Sequence, residues 1–145
     1  MDYQPLPIIA NEFVGVVVPL IDSARHSIDV VVFDWRFYKN DPSCAVSQFN
    51  LAVARAVRRG VNVRCLVQSD AVVASLKVLG CNARRLHSKN ILHTKLLILD
   101  KKSVIIGSHN YTQRAFTSNH EASIYVEMAS ADNQLVQYFN NLFGI

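Results

Sequence analysis

The run His93-Thr94-Lys95-Leu96-Leu97-Ile98-Leu99-Asp100, followed six residues later by Gly107-Ser108-His109-Asn110, governs the reading of the whole chain. Side chains alternate along a strand, so His93 and Lys95 point one way while Thr94, Leu96 and Ile98 point the other. An imidazole and an ammonium are thus set side by side on one sheet face. The spacing predicts two close strands, Leu92 to Leu99 and Ser103 to Gly107, with Lys101-Lys102 in the turn between them. Continued to Asn110, the second strand would put Ser108 and Asn110 on a shared face and turn His109 away. Gly107 removes a side chain where a ligand or another backbone needs close approach.

Outward from this core, helical and extended segments alternate, the pattern of an α/β fold. The segment before Arg25 reads as helical, with Pro19 in its first turn. Ser27 to Phe37 reads as a buried strand rich in β-branched and aromatic residues. Asp41 as cap, Pro42 at the first position and Gly60 as a left-handed stop frame a helix that buries Val46, Phe49, Val53, Ala56 and Val57. Val61 to Gln68 follows as a strand, then a helix from Ala71 to Leu79 closed by Gly80, then a basic loop carrying Arg84, Arg85 and Lys89. Glu121 to Met128 is a last strand. A C-terminal helix capped by Asp132 buries Leu135, Val136, Phe139 and Leu142.

The 145 residues are half apolar and 18% charged, with a formal net charge of +4. That suits one domain spanning 1–145 with a real core and excludes wholesale disorder. The charge mildly favours anionic partners. Three cysteines, Cys44, Cys65 and Cys81, cannot all pair, so a disulfide scaffold is not expected. Their usage and the lack of a visible signal sequence point to a soluble protein of the cytoplasm. The apolar stretch from Pro5 to Ile21 is too short and interrupted to span a bilayer. Cys81, His87 and His93 fit no common zinc spacing, and no metal or cofactor is called for.

The His93–Asn110 set can act on a phosphodiester. Lys95 supplies compact positive charge to non-bridging oxygens, and Ser108 and Asn110 supply neutral donors. A neutral His93 can attack phosphorus to form a covalent phosphoryl intermediate. A second group must then protonate the leaving oxygen, worth roughly 10²–10⁴-fold in rate. No carboxylate cluster of the two-metal kind accompanies these residues.

The pattern His-x-Lys, four residues, Asp, six residues, Gly-Ser-x-Asn resembles the signature of the phospholipase D superfamily, with every specified position met. Ser23-Ala24, Arg59-Gly60-Val61 and Asn110-Tyr111-Thr112 are similar to segments of its small bacterial endonucleases, and the resemblance runs from about Leu20 onward. It implies an α/β fold with a mixed, mostly parallel β-sheet flanked by helices on both faces. It also implies a metal-independent phosphohistidine mechanism with two motifs meeting at one site. This chain has one motif, since His87-Ser88-Lys89 lacks the rest, so the resemblance implies a homodimer joining two copies of His93, Lys95, Ser108 and Asn110. One His93 would be nucleophile and its mate the general acid. Glu121 matches the acidic residue that holds the histidine ring in relatives. Asp100 and Gly107 belong to the motif's framework, and Asp100 is expected to organise the turn before Lys101.

The expected substrate is nucleic acid, DNA or RNA. Arg84, Arg85 and Lys89, with Arg55, Arg58, Arg59, Lys101 and Lys102, could track a phosphate backbone. Trp35 and Phe37 either line the cleft mouth, where they could stack on bases, or belong to the core or the dimer interface. Two other readings stand beside this one. A phospholipid phosphodiesterase would need an apolar docking surface, and a catalytically silent nucleic-acid-binding module would keep the fold without turnover.

Overall fold

The computed structural model describes residues 4–144. Its elements, in chain order, are β1 (Leu6–Ile9), a 3-10 turn (Ala10–Glu12), α1 (Phe13–Ser23), β2 (Ser27–Val31), α2 (Ala45–Arg58), β3 (Asn62–Val67), α3 (Asp70–Leu79), β4 (Asn82–Arg85), β5 (Leu96–Leu99), β6 (Ser103–Gly107), α4 (Gln113–Thr117), β7 (Ala122–Glu127) and α5 (Gln134–Phe143). The strands form one sheet in the order β1-β7-β6-β5-β2-β3-β4.

The sheet is mixed and covered on both faces, as expected, but the expected parallel majority is not found. Only β2–β3 and β3–β4 pair in parallel, and the other four pairings are antiparallel. The reason is connection length. Helices α2 and α3 provide the long crossovers that parallel neighbours need, whereas β5 and β6 are joined by a tight turn that can only make an antiparallel pair. Asp100 and Lys101 in that turn have φ of 52° and 65°, so both central residues are left-handed, as hairpin turns of this handedness require.

Alternation sorts the sheet's side chains into two cores. Ile28, Val30, Val63, Cys65, Leu97 and Leu99 face α1, α2 and α3. Val31, Leu66, Leu96, Ile98 and Val104 face Val136, Phe139 and Phe143 of α5. Asp29 shares this second face and is fully buried. Arg64 and Lys101 pair with its two carboxylate oxygens at 2.8 and 2.7 Å. The Arg64 guanidinium also lies over the Phe139 ring and bonds Asn140. Replacing Asp29 alone would leave a buried cation unpaired, the costly half of a buried ion pair.

Several boundaries differ from expectation. Strand β2 stops at Val31, after which residues 32–38 run on as an extended segment tied to Leu66 and Tyr111 by backbone hydrogen bonds. Helix α2 begins at Ala45 with Cys44 at the cap, three residues after Pro42, because Asp41 and Ser43 are engaged in a turn with Ser47. Asn133 caps α5, accepting from the backbone of Leu135 and Val136, while the Asp132 carboxylate binds Gln137. Pro19 lies inside α1, not in its first turn. The helix persists because Phe13, Val17 and Ile21, one turn apart, are all buried. The basic loop is in part a strand: Arg84 and Arg85 end β4. Strand β1 and the short α4 had no counterpart among the expected elements.

The motif aspartate does more than organise its turn. Asp100 Oδ1 accepts from the backbone N–H of His26 and Ser27 at 2.7 and 3.0 Å, and Oδ2 from that of Arg25 at 3.0 Å. Partial burial works to raise its pKa, but the three N–H bonds and the nearby His26 outweigh it and hold the carboxyl below its ordinary value. A depressed carboxylate pKa stabilises the fold above the unfolded-state value and loses that contribution as pH falls through the folded one. Asp100→Ala should therefore cost about 2–3 kcal/mol in neutral urea unfolding, with the difference from wild type shrinking in acid below the ordinary carboxyl pKa.

Candidate active site

The motif residues gather at the sheet edge where β2, β3 and β6 end and β5 and β7 begin, the side on which α/β sheets usually bind ligands. His93 and Lys95 precede β5 on an extended approach and are not part of the strand, which starts at Leu96. Their alternation survives. Thr94 turns to the α5 side, where its hydroxyl meets Tyr138 at 2.5 Å. Lys95 Nζ lies 3.1 Å from each ring nitrogen of His93. His93 is exposed and Lys95 half-buried. Burial draws the Lys95 ammonium below the usual lysine range, and the Glu121 carboxylate opposes that shift.

Strand β6 delivers the second half. Gly107 N–H reaches back to the Lys95 carbonyl at 3.4 Å. A Cβ at Gly107 would run into the Ser123 backbone and side chain, so the close approach this glycine serves is that of β7. Ser108 donates to Glu121 Oε1 at 2.6 Å and accepts from the Ala122 N–H at 3.0 Å. Asn110 Oδ1 accepts the Asp34 N–H at 3.1 Å, which leaves its amide N–H groups as donors. His109 turns away from the site, as expected, and is buried between Ser123 and the Ala10 carbonyl. Burial pushes its pKa down, against the Ala10 hydrogen bond and Glu121.

Two expectations change. Within one chain, Glu121 holds Ser108 and Asn119, and makes no hydrogen bond to the His93 ring. Trp35 cannot stack on a base: it is 1% exposed, and its indole N–H donates to Asn50 at 2.6 Å. Phe37, stacked on Trp35, is only partly buried. The proposed phosphate track also thins. Arg84 donates to the Phe143 carbonyl, Arg85 pairs with Asp70, Arg55 with Asp22, Lys101 with Asp29, and Arg59 binds the carbonyls of Ile21 and Ala24. Among the described residues, Lys89, Arg58 and Lys102 keep no such partner.

The reading of the sequence missed Phe33. Its ring lies 5.2 Å from the His93 ring, and Lys95 Nζ lies 5.7 Å from its centroid. Within the expected strand from Ser27 to Phe37 it falls in the interior, yet it is among the exposed large apolar residues because β2 ends two positions earlier. Among the described residues, no group of three or more His, Cys, Asp or Glu could hold a metal ion.

Residues 17–143 match the family model described as "Cardiolipin synthase, PLD-like domain", and the chain belongs to the phospholipase D superfamily. Among solved structures it is similar to Nuc, a phospholipase D family member from Salmonella typhimurium, with a TM-score of 0.79, 22% identity and coverage of 97% of this chain and 95% of that one. NucT from Helicobacter pylori gives a TM-score of 0.74 at 17% identity, covering 97% and 96%. The mitochondrial cardiolipin hydrolase of Xenopus laevis is 31% identical over 123 residues, which cover 81% of this chain and 54% of that protein. The chain thus spans about half the length of the curated relatives it matches.

The site's electrostatics can be tested without turnover. Glu121→Gln removes a charge that supports the Lys95 ammonium. Lys95, followed by side-chain carbon NMR, should titrate at lower pH in this variant than in wild type. An unchanged titration would mean that Glu121 does not feel Lys95.

Proposed function

We propose that the chain is a metal-independent phosphodiesterase, acting on nucleic acid through a covalent phosphohistidine at an active site shared by two copies. The observation that carries this reading is the meeting of His93, Lys95, Asn110 and the Ser108–Glu121 pair at one open sheet edge. Lys95 and the Asn110 amide would take the non-bridging oxygens of the phosphodiester. A His93 ring nitrogen attacks phosphorus, forming an N–P bond as the P–O bond to the leaving strand breaks. The leaving oxygen takes a proton from the partner's His93. Water then attacks the phosphoryl group, giving its proton back to that second imidazole, and the N–P bond breaks. Developing charge is met by Lys95, so the scheme requires no Lewis acid.

Nucleic acid is favoured by the net positive charge and by a fold close in length and topology to Nuc and NucT. The second reading, a phospholipid phosphodiesterase, is favoured by the identity to cardiolipin hydrolases and by the exposed apolar Leu6, Ile9, Val78 and Ile91. Among the described residues no helix is long and apolar enough to cross a membrane.

Cleavage of labelled single- and double-stranded DNA and RNA in excess EDTA tests the chemistry. Wild type should cut and His93→Ala should lose at least about 10²-fold. Subunit exchange with excess His93→Ala should silence wild type beyond simple dilution, because a mixed dimer lacks one of the two imidazoles. Hydrolysis of cardiolipin vesicles with no cutting of any nucleic acid would favour the lipid reading instead.

A further inference from the structure

Beside Asn110 a groove of about 350 Å³ is lined by Asp34, Arg36, Tyr38, Thr112, Arg114 and Asn119. That volume falls in the range of about 300–1,000 Å³ usual for ligand sites. Its floor is held from the active site itself, since Asn110 Oδ1 accepts the Asp34 N–H and the Tyr111 N–H binds the Asp34 carbonyl. Its charge is not balanced. The Asp34 carboxylate is paired with Arg36 at 2.8 Å. Arg114 is exposed, and among the described residues its side chain makes no hydrogen bond or ion pair. It rides on α4, whose cap Thr112 follows Asn110 by two residues. Tyr38, at the groove's rim, is 44% exposed.

An unpaired guanidinium, an exposed aromatic ring and polar side chains beside a phosphodiester-binding edge match what single strands require. Such strands bind through backbone charge neutralisation combined with stacking of unpaired bases on aromatic faces. We propose that this groove takes the nucleotide next to the scissile phosphate of a single-stranded nucleic acid, with Arg114 on its phosphate and Tyr38 stacked on its base. The inference rests on the nuclease reading and narrows it. A duplex keeps its bases stacked on one another and could offer Tyr38 none. A phospholipid would bring no planar base for Tyr38.

The test uses the full chain with wild type, Tyr38→Ala, Tyr38→Trp, Arg114→Ala and, as a charge-matched control that does not line the groove, Lys77→Ala. Binding of a labelled single-stranded oligonucleotide is read by anisotropy across a salt series. The ratio of kcat/KM for that oligonucleotide to kcat/KM for bis(p-nitrophenyl) phosphate is measured alongside. Tyr38→Ala should weaken binding about tenfold, with Tyr38→Trp restoring it. Arg114→Ala should lower the slope of log K against log salt by about 0.7. Both alanine variants should lower the kcat/KM ratio, and Lys77→Ala should not. If wild type cuts the oligonucleotide and both variants keep its ratio and affinity, the groove assignment is overturned while the nuclease reading stands. Equal losses on duplex and single strand would overturn the single-strand assignment. Hydrolysis of bis(p-nitrophenyl) phosphate by a wild type that neither binds nor cuts nucleic acid would remove the nuclease reading and this proposal together.

Discussion

The active edge of this protein depends on a carboxylate at the opposite edge. Asp100 gathers the N–H groups of Arg25, His26 and Ser27, the residues at which the chain leaves α1 and enters β2. It thereby ties the start of β2 to the end of β5 and selects one register, Ile28 opposite Leu99 through Val31 opposite Leu96. A slip of one residue would exchange the two faces of β5. Leu96 and Ile98 would then leave the α5 core, and the residues preceding the strand would turn over with them. The same register brings Phe33, two residues past β2, against His93, three residues before β5. A framework aspartate seven residues from the histidine thus sets which way the imidazole faces, without touching it.

Around that imidazole, groups are arranged in linked pairs. Lys95 lies against His93, and Glu121 supports the Lys95 charge against the cost of burial. Glu121 also accepts a hydrogen bond from the Ser108 hydroxyl. Asn110 differs, because only its oxygen is engaged and its N–H groups remain to be used. The donors of this cluster are therefore not equivalent: among the described residues the Asn110 amide N–H groups are open, whereas the Ser108 hydroxyl is bound to Glu121.

What could be read from residues alone follows from how local the responsible physics is. The spacing from His93 to Asn110 reports two strands and a tight turn, all within one hairpin, and both the pairing and the turn of His109 away from the site are found. Gly60 and Gly80 mark helix ends through their own backbone angles of 91° and 96°. The misses are non-local. Strand β1 forms only because β7, more than a hundred residues away, offers it an edge. Asp132 and Asn133 are equally good caps, and the choice falls to Asn133, whose amide also reaches the Lys101 carbonyl. Trp35 and Phe37 both read as stacking, core or interface residues from the sequence. The bridge between Trp35 and Tyr111 buries Trp35, and Phe37, stacked on it, stays partly buried.

The fate of the basic residues bears on how an anion would be held. Charge counted along the chain suggests a broad positive surface, yet much of it is used internally. Arg64 and Lys101 neutralise buried Asp29, Arg84 covers the Phe143 ring and binds its carbonyl, and Arg59 closes the end of α1. Each of these cations has exchanged part of its hydration for a protein partner and would have to give that partner up to meet a phosphate. Of the charge left for a ligand, Lys95 and Arg114 lie near the sheet's open edge. The net positive charge can draw a polyanion to this molecule, while a few well-placed groups would hold it. A short segment of strand threaded past His93 fits that distribution better than a long duplex wrapped on a basic face.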